Sequence, residues 1–138
     1  MKKILLLAAM VVTAFAAGAQ VTAQKAAWIN ISVPQMKCWV CKEKLQQYLL
    51  KETGPSGDGG ILQVIINMFN ATVRIRYSPD RFSVDDLRTS IANAGYDADT
   101  VKANEDSYKL LPPICKRKED GGGPQKGQPP CTIPQNQR

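Results

Sequence analysis

The chain has 138 residues, a formal net charge of +6 from 18 Lys+Arg against 12 Asp+Glu, and no histidine. The positive charge forms no stripe interleaved with aromatics, which argues against nucleic acid as a partner. Lack of imidazole removes the commonest nitrogen ligand and the usual general base, so a metal site must rest mainly on sulfur. The expectation is a binding protein and not an enzyme.

Residues 1–19 read as a secretory signal peptide: Lys2 and Lys3, an apolar run over 4–17 broken by Thr13, then Ala17, Gly18 and Ala19. A second small-residue site ends at Ala23, so cleavage is expected at 19 or at 23. The run is too short for a comfortable membrane span, which makes an uncleaved anchor the lesser reading. The mature protein is expected to be periplasmic or otherwise exported, with no stable membrane insertion.

Over 28–33, Ile29, Ile31 and Val33 alternate with Trp28, Asn30 and Ser32, the pattern of a half-buried strand that Pro34 ends. Residues 42–52 read as a helix whose stripe holds Cys41, Leu45, Tyr48, Leu49 and Glu52. The glycine-rich stretch 54–60 stops it. Residues 61–68 and 71–77 form a hairpin around Phe69 and Asn70, with Leu62, Val64, Ile66 and Met68 facing inward beside Val73, Ile75 and Tyr77.

Ser83 is placed to cap a second helix, with Asp85 and Asp86 in its first turn. Its buried stripe is Val84, Leu87, Ile91 and Ala94, and Gly95 closes it in the left-handed conformation. A last strand is expected over 98–101. The fold class is therefore α+β: a ferredoxin-like βαββαβ sandwich, its four-stranded antiparallel sheet carrying two helices on one face. The domain spans 27–103, and 104–138 reads as a disordered tail rich in Pro, Gly and Lys.

Chemistry is concentrated at Cys38 and Cys41. Two cysteines separated by two residues, spanning a loop and the first turn of a helix, can aim both sulfurs at one small volume. Unpaired N–H groups, the positive helix end, Lys37 and Lys42 all favour thiolates there. Soft sulfur selects Cu(I) first, with Hg(II) or Zn(II) and Cd(II) as alternatives. Two ligands are too few for a closed tetrahedral zinc site. Competing readings are a structural disulfide and a redox dithiol.

The stretch Met36 to Cys41, the hairpin over 61–77, and the runs 82–87 and 91–98 together resemble the heavy-metal-associated domain family. That family includes copper chaperones, modules of heavy-metal P-type ATPases and the periplasmic mercury-binding protein. The resemblance covers about 27–103. It implies that Cys38 and Cys41 are metal ligands, that Met36 packs beneath the metal loop, and that Tyr96 lies close to that loop. A plain core aromatic is an equal reading of Tyr96. The family usually has glycine where this chain has Gln35, and its linker is shorter than 54–60.

Cys115 and Cys131 remain. An exported chain with an even cysteine count favours a disulfide between them, with Cys115 as an extra metal ligand the alternative. Asn30 to Ser32 and Asn70 to Thr72 match the glycosylation pattern, which is short enough to arise by chance. The functional expectation is capture of a soft metal ion and its transfer to a metal-transporting membrane protein or another metal-binding domain. A thiol-disulfide oxidoreductase using the same pair, or an interaction module presenting Trp28 and Ile65 on its sheet, are the alternatives.

Overall fold

The computed structural model describes residues 25–53, 59–123 and 131. The expected leader over 1–19 lies outside the described residues. Among those described, β1 (Ala27–Ser32), α1 (Trp39–Glu52), β2 (Ile61–Asn67), β3 (Thr72–Tyr77) and α2 (Val84–Asn93) are followed by a short α3 (Glu105–Lys109) and a 3-10 turn (Pro113–Cys115).

The strands form an antiparallel sheet in the order β1-β3-β2. Ile29 lies opposite Ile75, and Ile31 opposite Val73, so the alternation of both strands puts their apolar side chains on one face. That face meets Leu45 and Leu49 of α1 and Leu87 and Ile91 of α2 in one core. Arg74 and Trp28 remain on the outer face, with the guanidinium 4.4 Å from the ring centroid.

In β2 the pairing shifts between Ile61 and Gln63. The extra residue rotates Leu62 out of the core, where it is 49% exposed, and Ile61 takes its inward place. The expected inward Leu62 is thus corrected. At the hairpin, Asn67 Oδ1 accepts from the N–H groups of Phe69 and Asn70.

α2 begins as expected. Ser83 accepts from the Asp86 N–H, while the Asp86 carboxylate accepts from the Ser83 N–H, a reciprocal capping box. Gly95 has φ +94, and a Cβ there would sit 2.9 Å from the Ser107 carbonyl oxygen. Left-handed backbone and close approach to the segment beyond both call for glycine.

The expected fourth strand over 98–101 does not extend along the sheet. Ala98 and Val101 instead exchange two backbone hydrogen bonds of 2.9 Å across a two-residue turn. Asp99, at φ 52, explains the stop. Its N–H donates to the Ser32 carbonyl at 2.9 Å, and its carboxylate accepts from the Ser32 N–H at 2.8 Å. One aspartate thereby satisfies the end of β1, and Arg88 secures its other oxygen at 2.9 Å.

Residues 104–123 also depart from the expected disordered tail. Asn104 caps α3 through its side chain, and its N–H donates to the Ala92 carbonyl at the end of α2. Leu111 and Cys115 are buried in the domain core, with Tyr108 and Ile114 packed against it. Apolar residues three and four apart in this otherwise polar segment are enough when covalent and ionic ties hold it down.

Candidate functional site

Cys38 is the N-cap of α1, in extended conformation, and its side chain makes no capping hydrogen bond. Cys41 follows in the first turn. The chain thus places both cysteines at the end of a helix where backbone N–H groups lack intrahelical acceptors and the dipole is positive. Met36, just before them, is fully buried in the core.

Each sulfur has a distant covalent partner. Cys38 is bonded to Cys131 and Cys41 to Cys115. The expected bond between Cys115 and Cys131 is therefore replaced by two bonds that fasten the C-terminal region onto the cysteine loop. Neither does Cys38 bond to Cys41. In this state no sulfur is a thiolate, and among the described residues no group of three or more Cys, Asp or Glu is placed to hold a metal ion.

Around the pair, the Trp39 N–H donates to the Cys131 sulfur at 2.9 Å. The Lys42 ammonium lies 4.6 Å from the Trp39 ring centroid. Tyr96, 1% exposed, donates its hydroxyl proton to the Cys41 carbonyl at 3.2 Å. It is thus both a core aromatic and a direct neighbour of the cysteine loop. Burial pushes its phenol well above the usual range, so the hydroxyl remains a donor.

A polar clamp adjoins the disulfides. Arg117 donates from two nitrogens to Asp97, at 2.6 and 2.7 Å. These hydrogen bonds hold the Asp97 carboxyl down at about 2, helped by the Ala103 N–H and by the charges of Arg117 and Lys102. Arg117 also stacks 4.4 Å from the centroid of Tyr108, whose hydroxyl donates to Asp120 and accepts from the Arg117 N–H. Gln35 completes the group: its side-chain oxygen accepts from the Asp97 N–H at 3.2 Å.

Sequence reasoning missed Asp97, Arg117 and the clamp they make. A lysine- and arginine-rich run gives no sign of which cation will be fixed. Only Gln35, standing where the resembled family has glycine, carried a signal that the loop had gained a polar contact.

No family model matches the chain, and no curated protein matches it. Solved structures are similar to it over about half its length. A CopZ metallochaperone is 22% identical, with a TM-score of 0.45, over 52% of this chain and 98% of its own. Oxidized MerP from Ralstonia metallidurans is 22% identical, with a TM-score of 0.46, over 54% of this chain and 94% of its own. The N-terminal domain of a potential copper-translocating P-type ATPase from Bacillus subtilis, in its Cu(I)-loaded state, is 21% identical, with a TM-score of 0.45, over 58% and 100%.

Proposed function

We propose that this chain is an exported soft-metal-binding domain that captures its ion through Cys38 and Cys41 and passes it to a metal-transporting partner. The observation that carries the reading is the placement of the two cysteines at the N-cap and first turn of α1, each with its own disulfide partner. Reduction of those bonds, with two electrons and two protons each, leaves a thiol pair at a positive helix end beside Lys37 and Lys42. Such a pair favours the thiolate and suits low-coordinate Cu(I) first, then Hg(II). Cys115 and Cys131, freed by the same reduction, are available as extra ligands, which would suit Zn(II) or Cd(II).

The closed state fits an oxidising compartment, where disulfides persist. Among the described residues no helix is long and apolar enough to cross a membrane. A partner with an acidic face would match the lysines beside the pair. The oxidoreductase alternative needs a bond that closes within the pair, whereas each sulfur here joins a distant cysteine.

A second reading has its own observation. Cys38 and Cys41 are 4% and 0% exposed. Buried, bonded sulfurs also describe a domain stapled for rigidity that engages a partner through Trp28 and Ile65 on its outer sheet face. Titration of the reduced protein with Cu(I), Hg(II) and Zn(II) separates the two. Tight binding that disappears in the Cys38→Ser/Cys41→Ser double variant supports the metal reading. Equal binding by the double variant overturns it.

A further inference from the structure

The two disulfides have different surroundings. Cys41 and Cys115 are both fully buried in the core. Cys38 and Cys131 instead line a cleft of about 370 Å³. Of this pair, Cys131 is the more exposed.

The cleft is rich in donors of one sign. Lys37, Lys116 and Lys118 line it, and none has a carboxylate partner among the described residues. Asp97 also lines it, but its charge is met by Arg117, with Lys102 4.0 Å away. Glu119 is the remaining acid in the lining and is exposed. Gln35 lines the same cleft at 7% exposure, and its side-chain amide nitrogen has no hydrogen-bond partner among the described residues. A buried donor without an acceptor among the described residues, beside ammonium groups that have no carboxylate partner there, fits a carboxylate.

We propose that this cleft binds a small thiol bearing carboxylates, and that thiol-disulfide exchange there opens the Cys38–Cys131 bond before the Cys41–Cys115 bond. The bound thiolate attacks the sulfur of Cys131, forming a mixed disulfide and releasing Cys38 as thiolate. The positive end of α1 and Lys37 stabilise that leaving group. A second molecule of the small thiol then attacks the sulfur contributed by the first, releasing Cys131. Two thiols have become one small-molecule disulfide, and two protein thiols have formed. The consequence, that opening prepares the metal ligands, rests on the metal-site reading. The exchange itself is measured without metal, so the two ideas fail separately.

The test treats the oxidised chain with reduced glutathione, which carries two carboxylates, with neutral mercaptoethanol, or with cationic cysteamine, at equal thiolate concentration. Alkylation and mass spectrometry then score each cysteine over time. Glutathione is expected to open Cys38–Cys131 about tenfold faster than cysteamine, with Cys41–Cys115 still closed. Lys37→Glu with Lys118→Glu should abolish that preference, read as the ratio of the glutathione and cysteamine rates within the same variant, so that the effect of Lys37 on the leaving thiolate cancels. Equal rates for the three thiols, earlier opening of Cys41–Cys115, or a preference that survives both substitutions overturns the proposal.

Discussion

Tyr96 donates a hydrogen bond to the carbonyl of Cys41 across 3.2 Å, bridging 55 positions of sequence. It fixes the first turn of α1, where the cysteines stand, against the segment that follows α2. Burial keeps the phenol protonated, so the bond persists through the neutral range.

Tyr96→Phe keeps the ring and removes only this donor. The variant should fold and lose about 1 kcal/mol of stability. Denaturant unfolding of the oxidised protein measures it as a lower midpoint at unchanged slope. A midpoint equal to that of the parent would mean that the bond adds nothing.

Asp97 carries a pH dependence of definite sign. Its carboxyl falls from the ordinary 3.8 to about 2 in the fold, chiefly through the Arg117 hydrogen bonds. The stability this adds is therefore complete above about pH 4, declines as pH falls toward 2, and is absent below. Asp97→Asn should cost about 2 kcal/mol at neutral pH. The difference between parent and variant should shrink over that acid window. A constant difference from pH 6 to about pH 2 would contradict the assignment.

The Cys41–Cys115 bond closes a span of 74 residues and anchors the 3-10 turn Pro113–Cys115 to α1. Cys41→Ala with Cys115→Ala should remove about 2–4 kcal/mol. Amide exchange should then accelerate most over 105–115. Unchanged protection there would show that apolar packing and the Arg117 clamp hold the segment by themselves.

Gly95→Ala tests the close approach behind the site. The φ of +94 and the 2.9 Å gap to the Ser107 carbonyl leave no room for a methyl group. A loss of more than about 1 kcal/mol is expected, seen in thermal unfolding, because strain adds to the clash. A neutral outcome would mean that α3 shifts freely.

Much of this domain is visible in its amino-acid pattern because the pattern is local. The alternation of Ile29 and Ile31 sets the β1 face, Ser83 with Asp86 starts α2, and Gly95 ends it. Leu62 escaped because a bulge shifts register through pairing with β3, a contact that no local window contains. The strand expected over 98–101 failed for a similar reason: Asp99 satisfies Ser32 with its own carboxylate. Composition marked 104–138 as too polar to fold alone, whereas the order of 104–123 depends on bonds to partners far away in sequence. Cysteine connectivity is the clearest case, since spacing identifies the pair at 38 and 41 and leaves its partners open.

The most direct test of the central claim is a Cu(I) titration of the same protein in two redox states, in the presence of a competing chelator. No tight binding is expected while Cys38–Cys131 and Cys41–Cys115 are closed, and one tightly bound ion per chain is expected after both are reduced. Tight binding by the fully oxidised protein, or none after complete reduction with all four thiols counted as free, would contradict it.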